Sequence, residues 1–485
     1  MARKRSRGPA QHKFHDKLVL NQWLISLFGI DPLSEEFSHG KIRPFHKLAD
    51  PIRDKHCEGT GTDNLHLFYY HLGNCPLLRD ADLDGSLPGF RINGDLLLKY
   101  EQNIVMHTAT INAKRATGIK WKYYQWLSLL FSEIYLDRYF ADREGLFRDL
   151  NVFVKKFNQH WADYADVPPY TLDDLNKLCF QNATGSGKTL IMHMNLLQYQ
   201  DYAKKYGKEK ELSRIILLTP NERLSSQHLE ELRASGILAR KYVQSRGLLE
   251  YDSKRYVEVL EITKLGEQEG PNTVAVRSLG NQNLLFVDEG HRGMSGKEEG
   301  AWFTRRSELS EKGFTFEYSA TFEQAVQASG SVEFGNSYAK AVLFDYSYRW
   351  FYEDGFGKDY QILNLPASYE EVELSYLTAC LLKFHQQLHM YEAYKHTMKG
   401  FHSFNLEKPL WVFVGTTVAA QSKDKDSKST ISDVAKIISF IADFLNRGTV
   451  YIQRIAKILK GGRDVGLVDS NGREIFAQSF TWLAE

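Results

Sequence analysis

The chain has 485 residues, of which 43% are hydrophobic and 25% are charged. This length is too great for one hydrophobic core, and the composition excludes a disordered or fibrous protein. The 61 Lys and Arg residues balance the 60 Asp and Glu residues, so a polyanionic partner would be held by a local basic surface. The four cysteines form no CxxC pair, and no apolar run is long enough to span a bilayer. We therefore expect a cytoplasmic protein that has no membrane partner.

The N-terminal part of the chain has the pattern of helices. Helical segments alternate with Gly- and Pro-containing loops, so we predict a mostly helical accessory region over residues 1–115. Its basic first 13 residues are interpreted as a solvated tail, with contact to nucleic acid as the alternative. A long amphipathic helix is predicted over Trp121–Phe140, and another helix over residues 146–157.

From Leu175 onward, short apolar segments alternate with helical stretches. This alternation is typical of βαβ units. We therefore predict an α/β fold, a parallel sheet with helices on both faces, in a domain over residues 116–330. The predicted strands are KLCFQ, RIILLTP, VEVLEIT, NLLFVDE and FTFEYSAT.

After that domain the pattern changes again. An aromatic-rich segment and a long bridging helix, from about Tyr369 to Lys395, occupy residues 331–405. The aromatic residues around Arg349 are interpreted as a half-buried hairpin, with stacking on nucleic-acid bases as the alternative. The apolar run Pro409–Gly415 predicts a new strand, which opens an incomplete domain over residues 406–485.

A glycine-rich stretch, ATGSGKT, follows the first predicted strand. Two of its glycines let backbone N–H groups converge on phosphate oxygens without Cβ interference, and the helix that starts here adds partial positive charge. Its lysine would reach the β- and γ-phosphates of ATP, and its last threonine would ligate Mg²⁺. Asn182 stands where the generic pattern has its first glycine, and a flexible turn is the alternative for this motif alone. The predicted nucleotide cradle consists of Thr184, Gly185, Ser186, Gly187, Lys188 and Thr189.

Two acidic residues end another predicted strand, in NLLFVDEGH. Asp288 would hold Mg²⁺, usually through water, and Glu289 would orient and deprotonate the attacking water. Asp288 follows Lys188 by 100 residues, and the two motifs together favour a nucleotide site over an acidic loop. Ser319 and Thr321, in FEYSAT, end a third strand, where small hydroxyl residues can hydrogen-bond the acidic motif and sense the γ-phosphate.

The order ATGSGKT, LLTP, DEGH and SAT resembles that of the superfamily-2 helicases and translocases. Within that superfamily the chain resembles the DEAD/DEAH-type helicase (Res) subunit of type III restriction enzymes, on the segments ILLTPNERLSSQHLEEL, FVDEGHRG and KPLWVFVGTTV. The resemblance extends from about Trp121 to Val418. It implies a RecA-like P-loop NTPase lobe over 116–330 and the start of a second RecA-like lobe over 406–485. It also implies ATP and Mg²⁺ as cofactors and nucleic acid, DNA above all, as partner.

The resemblance assigns roles to single residues as well. Gln125, in KYYQ, would read the adenine base; a surface or helix-packing role is the alternative, because Gln125 precedes Lys188 by 63 residues. His291 would couple the nucleotide state to the rest of the motor. Contacts with the nucleic-acid backbone are implied for Thr219, Pro220, Thr263, Gly415 and Thr416.

The last part of the sequence departs from the family. Only 70 residues follow Gly415, and they contain neither a QxxGRxxR-like arrangement nor a nuclease motif; their GGRDVGLVDSNGRE segment offers Arg463 and Arg473. We therefore expect a second lobe that is cut short or carried by another polypeptide. The leading hypothesis is an ATP-dependent DNA helicase or translocase of a bacterial restriction or phage-defence system. The alternatives are an ATP-gated nucleic-acid clamp with little turnover, and a subunit that docks onto a methyltransferase, a nuclease or another effector.

Overall fold

The computed structural model describes residues 14–37, 43–75, 90–161, 166–243, 255–268, 270, 273–291, 297–357, 370–396, 406–413 and 433–484. The chain divides into two units, Met1–Lys358 and Asp359–Glu485. The first unit holds the predicted sheet together with the N-terminal helices and the segment that follows residue 330.

A seven-stranded parallel sheet forms the centre of the first unit. Across the sheet the strand order is β3-β4-β2-β7-β8-β1-β9, and β5 and β6 form a separate parallel pair. The predicted α/β fold with a parallel sheet is confirmed. The strands are β1 (Lys177–Asn182), β2 (Arg214–Thr219), β3 (Ala239–Lys241), β4 (Val257–Glu261), β5 (Leu265–Gly266), β6 (Val274–Ala275), β7 (Asn283–Asp288), β8 (Phe314–Ser319) and β9 (Val342–Tyr346).

Helices precede the sheet and connect its strands. Several begin at a side-chain cap: Asn93 accepts a hydrogen bond from the N–H of Leu96, and Asn221 accepts one from the N–H of Leu224. The N-terminal region is mostly helical, as predicted. In the described residues of the first unit the helices are α1 (Val19–Ser26), α2 (Pro44–Ala49), α3 (Leu67–Gly73), α4 (Gly94–Asn112), α5 (Tyr123–Ala141), α6 (Arg143–His160), α7 (Lys188–Lys205), α8 (Glu222–Ala234), α9 (Lys297–Leu309), α10 (Phe322–Ser329), α11 (Val332–Ala341) and α12 (Tyr348–Glu353).

One face of the sheet is aromatic and lies under α5 and α7. Phe180 of β1 stacks on Tyr318 of β8, with ring centroids 5.0 Å apart. Helix α5 is confirmed, but its predicted amphipathic character is wrong, because every residue from Tyr123 to Asp137 is buried. The reason is its place in the fold: α5 contacts α4, α6, α7 and β9, so no side of these first four turns faces water.

The opposite face of the sheet is divided by a polar stripe on β8. Apolar residues of β2 and β7, such as Leu218 and Leu285, form one cluster with Leu309 of α9. A second cluster joins Val342 of β9 to Tyr338 of α11. The stripe between them consists of buried Thr315, Glu317 and Ser319, which alternate along β8 and therefore point to the same face.

The segment after residue 330 extends the sheet. A hairpin was predicted for the aromatic residues, and this is wrong: β9 pairs with β1 in parallel, and helix α12 follows it directly. The pairing continues past the strand end, since Ala183 N–H donates to the Tyr346 carbonyl at 2.9 Å. Backbone groups of β9 are thus satisfied by β1, and Trp350 and Phe351 of α12 are buried in the core.

The second unit is helical in its described residues. The long helix predicted from about Tyr369 is confirmed, but the strand predicted over Pro409–Gly415 is wrong for residues 409–413, whose backbone is irregular. Leu410 is 82% exposed, and within the described part of this unit the cross-strand pairing is limited to one isolated bridge, so these residues have neither a ladder partner nor a core. Residues 414 and 415 lie outside the described residues, and the second RecA-like lobe stays a prediction. The helices here are α13 (Glu370–Tyr394), α14 (Asp433–Asn446), α15 (Gly448–Leu459) and α16 (Thr481–Ala484).

Candidate nucleotide-binding site

The predicted site residues of the first unit gather at one edge of the sheet. Because all strands of the sheet are parallel, their carboxyl ends lie at the same edge, where open α/β sheets bind ligands. Four neighbouring strands end there in polar residues: β2 in Thr219, β7 in Asp288, β8 in Ser319 and β1 in Asn182.

The P-loop, Ala183–Thr189, connects β1 to helix α7. Gly185 has φ 84° and Gly187 has φ 91°, both in the left-handed region that glycine adopts without strain. Gly187 is also the N-cap of α7. A Cβ at Gly187 would lie 2.4 Å from Nε2 of Gln125, so this position needs glycine for space as well as for conformation.

The P-loop offers unused hydrogen-bond donors. Among the described residues, the backbone N–H groups of Gly185, Gly187, Lys188 and Thr189 have no acceptor. A Cβ at Gly185 would meet nothing within 4 Å, so the space beside the loop is open. Free N–H groups at the start of a long helix are the ordinary site for phosphate. The cradle therefore fits the triphosphate of ATP.

Polar side chains beneath the loop are also without partners. The amide of Asn182 and the hydroxyl of Ser186 are buried and have no hydrogen-bond partner among the described residues. Buried polar groups are normally satisfied, so these atoms are available to a ligand or an ordered water. The ammonium group of Lys188 donates to the Asn182 carbonyl at 3.3 Å, which holds the lysine at the loop.

Gln125 braces the P-loop. Its Nε2 donates to the Ser186 carbonyl at 2.7 Å, and its Oε1 accepts from the N–H of Lys122 at 2.9 Å. The side chain is buried at the start of α5, which excludes the surface role and matches the packing role. Reading of adenine by Gln125 stays a prediction.

The acidic turn, Asp288–His291, begins at the end of β7. Asp288 Oδ1 accepts from the N–H of Glu289 at 3.0 Å, and its Oδ2 lies 2.9 Å from Nε2 of His228. Glu289 has φ 54°, a conformation rare for a residue with a side chain and typical of functional turns. Its carboxylate is 28% exposed, so it remains accessible to water.

The acidic turn is bonded to the end of β8. His291 Nδ1 lies 2.8 Å from the hydroxyl of Ser319 and 3.2 Å from the Glu289 carboxylate. The Ser319 hydroxyl also accepts from the N–H of Thr321 at 3.0 Å, and Gly290 N–H donates to the Tyr318 carbonyl. The contact expected between the SAT segment and the acidic motif is present in the structure.

A buried ionic cluster, absent from the sequence prediction, supports this turn. Arg306 of α9 donates to the Gly290 carbonyl at 2.8 Å, and the fully buried Glu317 pairs with Lys177 at 3.1 Å and accepts from Tyr338 at 2.7 Å. Burial alone would raise the pKa of Glu317, but Lys177 and Arg306 hold that pKa below its ordinary value. Glu317 is therefore charged beneath the acidic turn.

Asp288 and Thr189 are the two oxygen donors that the sequence predicts for Mg²⁺. Mg²⁺ is ordinarily held by one or two protein oxygens together with phosphates and waters, and not by a dedicated cage. The described residues contain no group of three or more His, Cys, Asp or Glu side chains that could hold a metal alone. This donor set suits a metal that arrives with the nucleotide.

The residues predicted to contact nucleic acid differ from one another in their exposure to solvent. Thr219 is 1% exposed, and its hydroxyl lies 2.6 Å from that of Ser225, so its side chain is already engaged inside the protein. Pro220 is buried as well, whereas Thr263, after β4, is exposed. Gly415 and Thr416 lie outside the described residues. Thr219, Pro220 and Thr263 lie at the same edge of the sheet as the P-loop.

One family model matches the core of the chain. Residues 149–324 match the family model described as "Type III restriction enzyme, res subunit". They include the P-loop, the acidic turn and the SAT segment. Because of this similarity we call residues 149–324 the Res-like domain. The remainder of the chain lies outside the matched range.

Part of the chain is also similar to a solved structure. A Sulfolobus solfataricus SWI2/SNF2 ATPase core in complex with dsDNA matches at 17% identity and a TM-score of 0.22, over 32% of this chain and 32% of that one. The chain thus spans about a third of the length of that structure. No curated protein matches the chain. No helix among the described residues has the length and hydrophobicity needed to cross a membrane.

Proposed function

We propose that this chain is an ATP-dependent nucleic-acid motor, a helicase or translocase. It hydrolyses ATP at the carboxyl ends of the strands in its Res-like domain. The main support is the arrangement of three neighbouring strand ends at one edge of the sheet. The acidic turn after β7 is tied to β8 through His291 and Ser319, and the P-loop of β1 presents free N–H groups in the same edge of the sheet. The residues for phosphate binding and those for activation of water therefore lie at the same edge of the sheet, one strand apart.

Each group has a role that follows from its surroundings. The free N–H groups and Lys188 bind and orient the phosphates. Glu289, accessible and set by its turn, orients the attacking water and takes its proton. Ser319 and Thr321, together with His291, report the presence of the γ-phosphate to the acidic turn. When bound, Mg²⁺ would be held by Asp288 and Thr189 and would neutralise phosphate charge.

DNA is the proposed track. The support is the family model, since restriction enzymes act on DNA. The ends of β2 and β4 lie beyond β7 on the side away from the P-loop strand, and they offer a second surface at the same edge. The same similarity supports our proposal of a cytoplasmic restriction or phage-defence system with a methyltransferase, nuclease or other effector as partner.

A second candidate is an ATP-gated clamp, or a docking subunit, that turns over little ATP by itself. Motors of this kind need an arginine at the transferring phosphoryl group. Arg463, one of the two arginines considered for this role, is bound within its own unit: it contacts the Glu474 carboxylate at 3.2 Å and donates to the Gly472 carbonyl. This engagement favours a source of arginine other than Arg463.

Hydrolysis of ATP by the purified chain tests both candidates. Turnover is measured alone and with duplex DNA, single-stranded DNA or RNA, with Lys188→Ala as the blank and Lys155→Ala, an exposed lysine of α6, as the matched control. Stimulation by DNA supports the motor. Binding of ATP without turnover under every condition supports the clamp, and full turnover by Lys188→Ala would overturn the site.

A further inference from the structure

Helix α8 places a buried histidine against the proposed metal carboxylate. His228 is 4% exposed, and its Nε2 lies 2.9 Å from Oδ2 of Asp288. A carboxylate can only accept, so Nε2 carries the proton and donates it. The other ring nitrogen, Nδ1, is buried without a partner among the described residues.

This contact holds the carboxylate in one orientation. One oxygen of Asp288 accepts from His228, and the other accepts from the N–H of Glu289 at 3.0 Å. Both oxygens keep lone pairs for further ligands. Hydrogen bonds from a second layer of residues fix the plane of a metal-binding carboxylate and raise the affinity of the site.

The same helix starts at the segment that we assign to nucleic acid. One residue separates Pro220 from the start of helix α8, whose buried stripe consists of Ser225, His228 and Leu232. The Ser225 hydroxyl lies 2.6 Å from that of Thr219. A continuous chain of contacts therefore leads from Thr219 through Ser225 and one turn of α8 to His228 and Asp288.

We infer that His228 is a positioning residue that orients Asp288 toward Mg²⁺ and passes nucleic-acid binding at the start of α8 to the nucleotide site. The inference rests on the proposed function. His228 touches neither substrate nor metal; it acts through Asp288. A shift of α8 when nucleic acid binds would change the orientation of the Asp288 carboxylate, and this change would alter the rate of ATP hydrolysis.

The test compares His228→Ala with His228→Gln, whose amide can still donate to Asp288. The matched control is His193→Gln, because His193 is a buried histidine of the neighbouring α7 that contacts Ser235 and not Asp288. The first readout is binding of a fluorescent ATP analogue during titration with Mg²⁺, which needs no turnover. We expect His228→Ala to need about tenfold more Mg²⁺ for tight binding. His228→Gln and His193→Gln should stay within about threefold of the wild type, since tenfold is the smallest loss expected from removing such a hydrogen bond.

The second readout is the stimulation of ATP turnover by duplex DNA. His228→Ala should lose most of the stimulation while its affinity for DNA is unchanged, and His228→Gln should recover part of it. A folded His228→Ala variant with the Mg²⁺ dependence of the wild type would overturn the positioning role. If His228→Ala does not fold, His228→Asn takes its place, because the shorter amide of asparagine does not reach the position of Nε2. Wild-type Mg²⁺ dependence in a folded His228→Asn variant would then overturn the role. If the wild-type chain binds Mg²⁺ and nucleotide but never hydrolyses ATP, the proposed motor is overturned. The Mg²⁺ dependence of nucleotide binding still tests whether His228 orients Asp288, because that measurement needs no turnover.

Discussion

The side chain of Gln125 joins the first turn of α5 to the P-loop, with its Nε2 donating to the Ser186 carbonyl at 2.7 Å. Because this bond acts on the loop backbone, it supports phosphate binding whatever base the nucleotide carries. The contact gives Gln125 a role in bracing the P-loop that does not depend on adenine. An experiment can therefore distinguish this role from reading of the base.

Gln125→Ala should weaken ATP and GTP equally. Loss of one hydrogen bond to a backbone carbonyl costs about 1 kcal/mol, or about fivefold in affinity. Fluorescent analogues of both nucleotides measure it, with Gln102→Ala, an exposed glutamine of α4, as control. A loss confined to ATP would show that Gln125 reads the base instead.

Glu289→Gln should retain ATP binding and lose hydrolysis, because the amide keeps the size of the side chain but cannot take a proton from water. Binding is measured with a fluorescent analogue, and turnover by release of phosphate. Glu311→Gln, an exposed glutamate after α9, is the control and should hydrolyse ATP at the wild-type rate. If Glu289→Gln loses binding itself, Glu289 is not the base.

Gly187→Ala should abolish nucleotide binding. Its φ of 91° strains any side chain, and the new Cβ would lie 2.4 Å from Gln125, so the loop must move. Gly207→Ala separates backbone strain from the steric clash, because Gly207 also has a positive φ, 69°, but nothing lies within 4 Å of its Cβ position. The control should lose about 1 kcal/mol of stability and keep its affinity for ATP. Equal loss of affinity in both variants would argue against the clash.

Glu133 of α5 should make the stability of the first unit depend on pH. Its carboxylate is fully buried, which raises its pKa from 4.5 to about 7, although Tyr202, Asn103 and Gln198 all donate to it. Between these two values the folded chain binds more protons than the unfolded chain. The contribution of Glu133 is therefore fully present below pH 4.5 and is lost as the pH rises to about 7.

The expected loss across that window is of the order of 3 kcal/mol, from about 1.4 kcal/mol for each unit of pKa. Glu133→Gln should remove this slope, whatever its effect on absolute stability, and Glu144→Gln, an exposed glutamate of α6, should keep it. Thermal unfolding followed at a series of pH values gives the slope. An identical slope in the wild type and Glu133→Gln would show that Glu133 does not bind the proton.

Several elements of the site could be predicted from the sequence because their requirements are local. Gly187 must be glycine for its own φ, and Asp288 stands at the end of a four-residue apolar run that can only be a buried strand or helix. The parallel order of such strands brings their ends to one edge. Chain order and strand pattern were therefore enough for the α/β fold and for the P-loop and acidic turn.

The interpretation of the aromatic segment and of α5 failed for a common reason. Periodicity shows which residues are apolar, but not how many sides of an element are covered. β9 finds its partner in β1, about 160 residues earlier, and α5 is enclosed by three helices and a strand. Neither neighbour is visible in the local pattern.

By itself, the sequence determined the local geometry at the candidate nucleotide site, since glycine conformation, charge and strand ends are properties of short segments. Tertiary structure alone decided which side chains hold that site in place. Gln125 meets Ser186 across 61 positions, and His228 meets Asp288 across 60. The stripe that includes His228 predicts a buried helix face, yet the identity of the strand end beneath it follows only from the β2–β7 pairing. Hydrogen bonds between distant segments depend on that packing, and no local pattern encodes it.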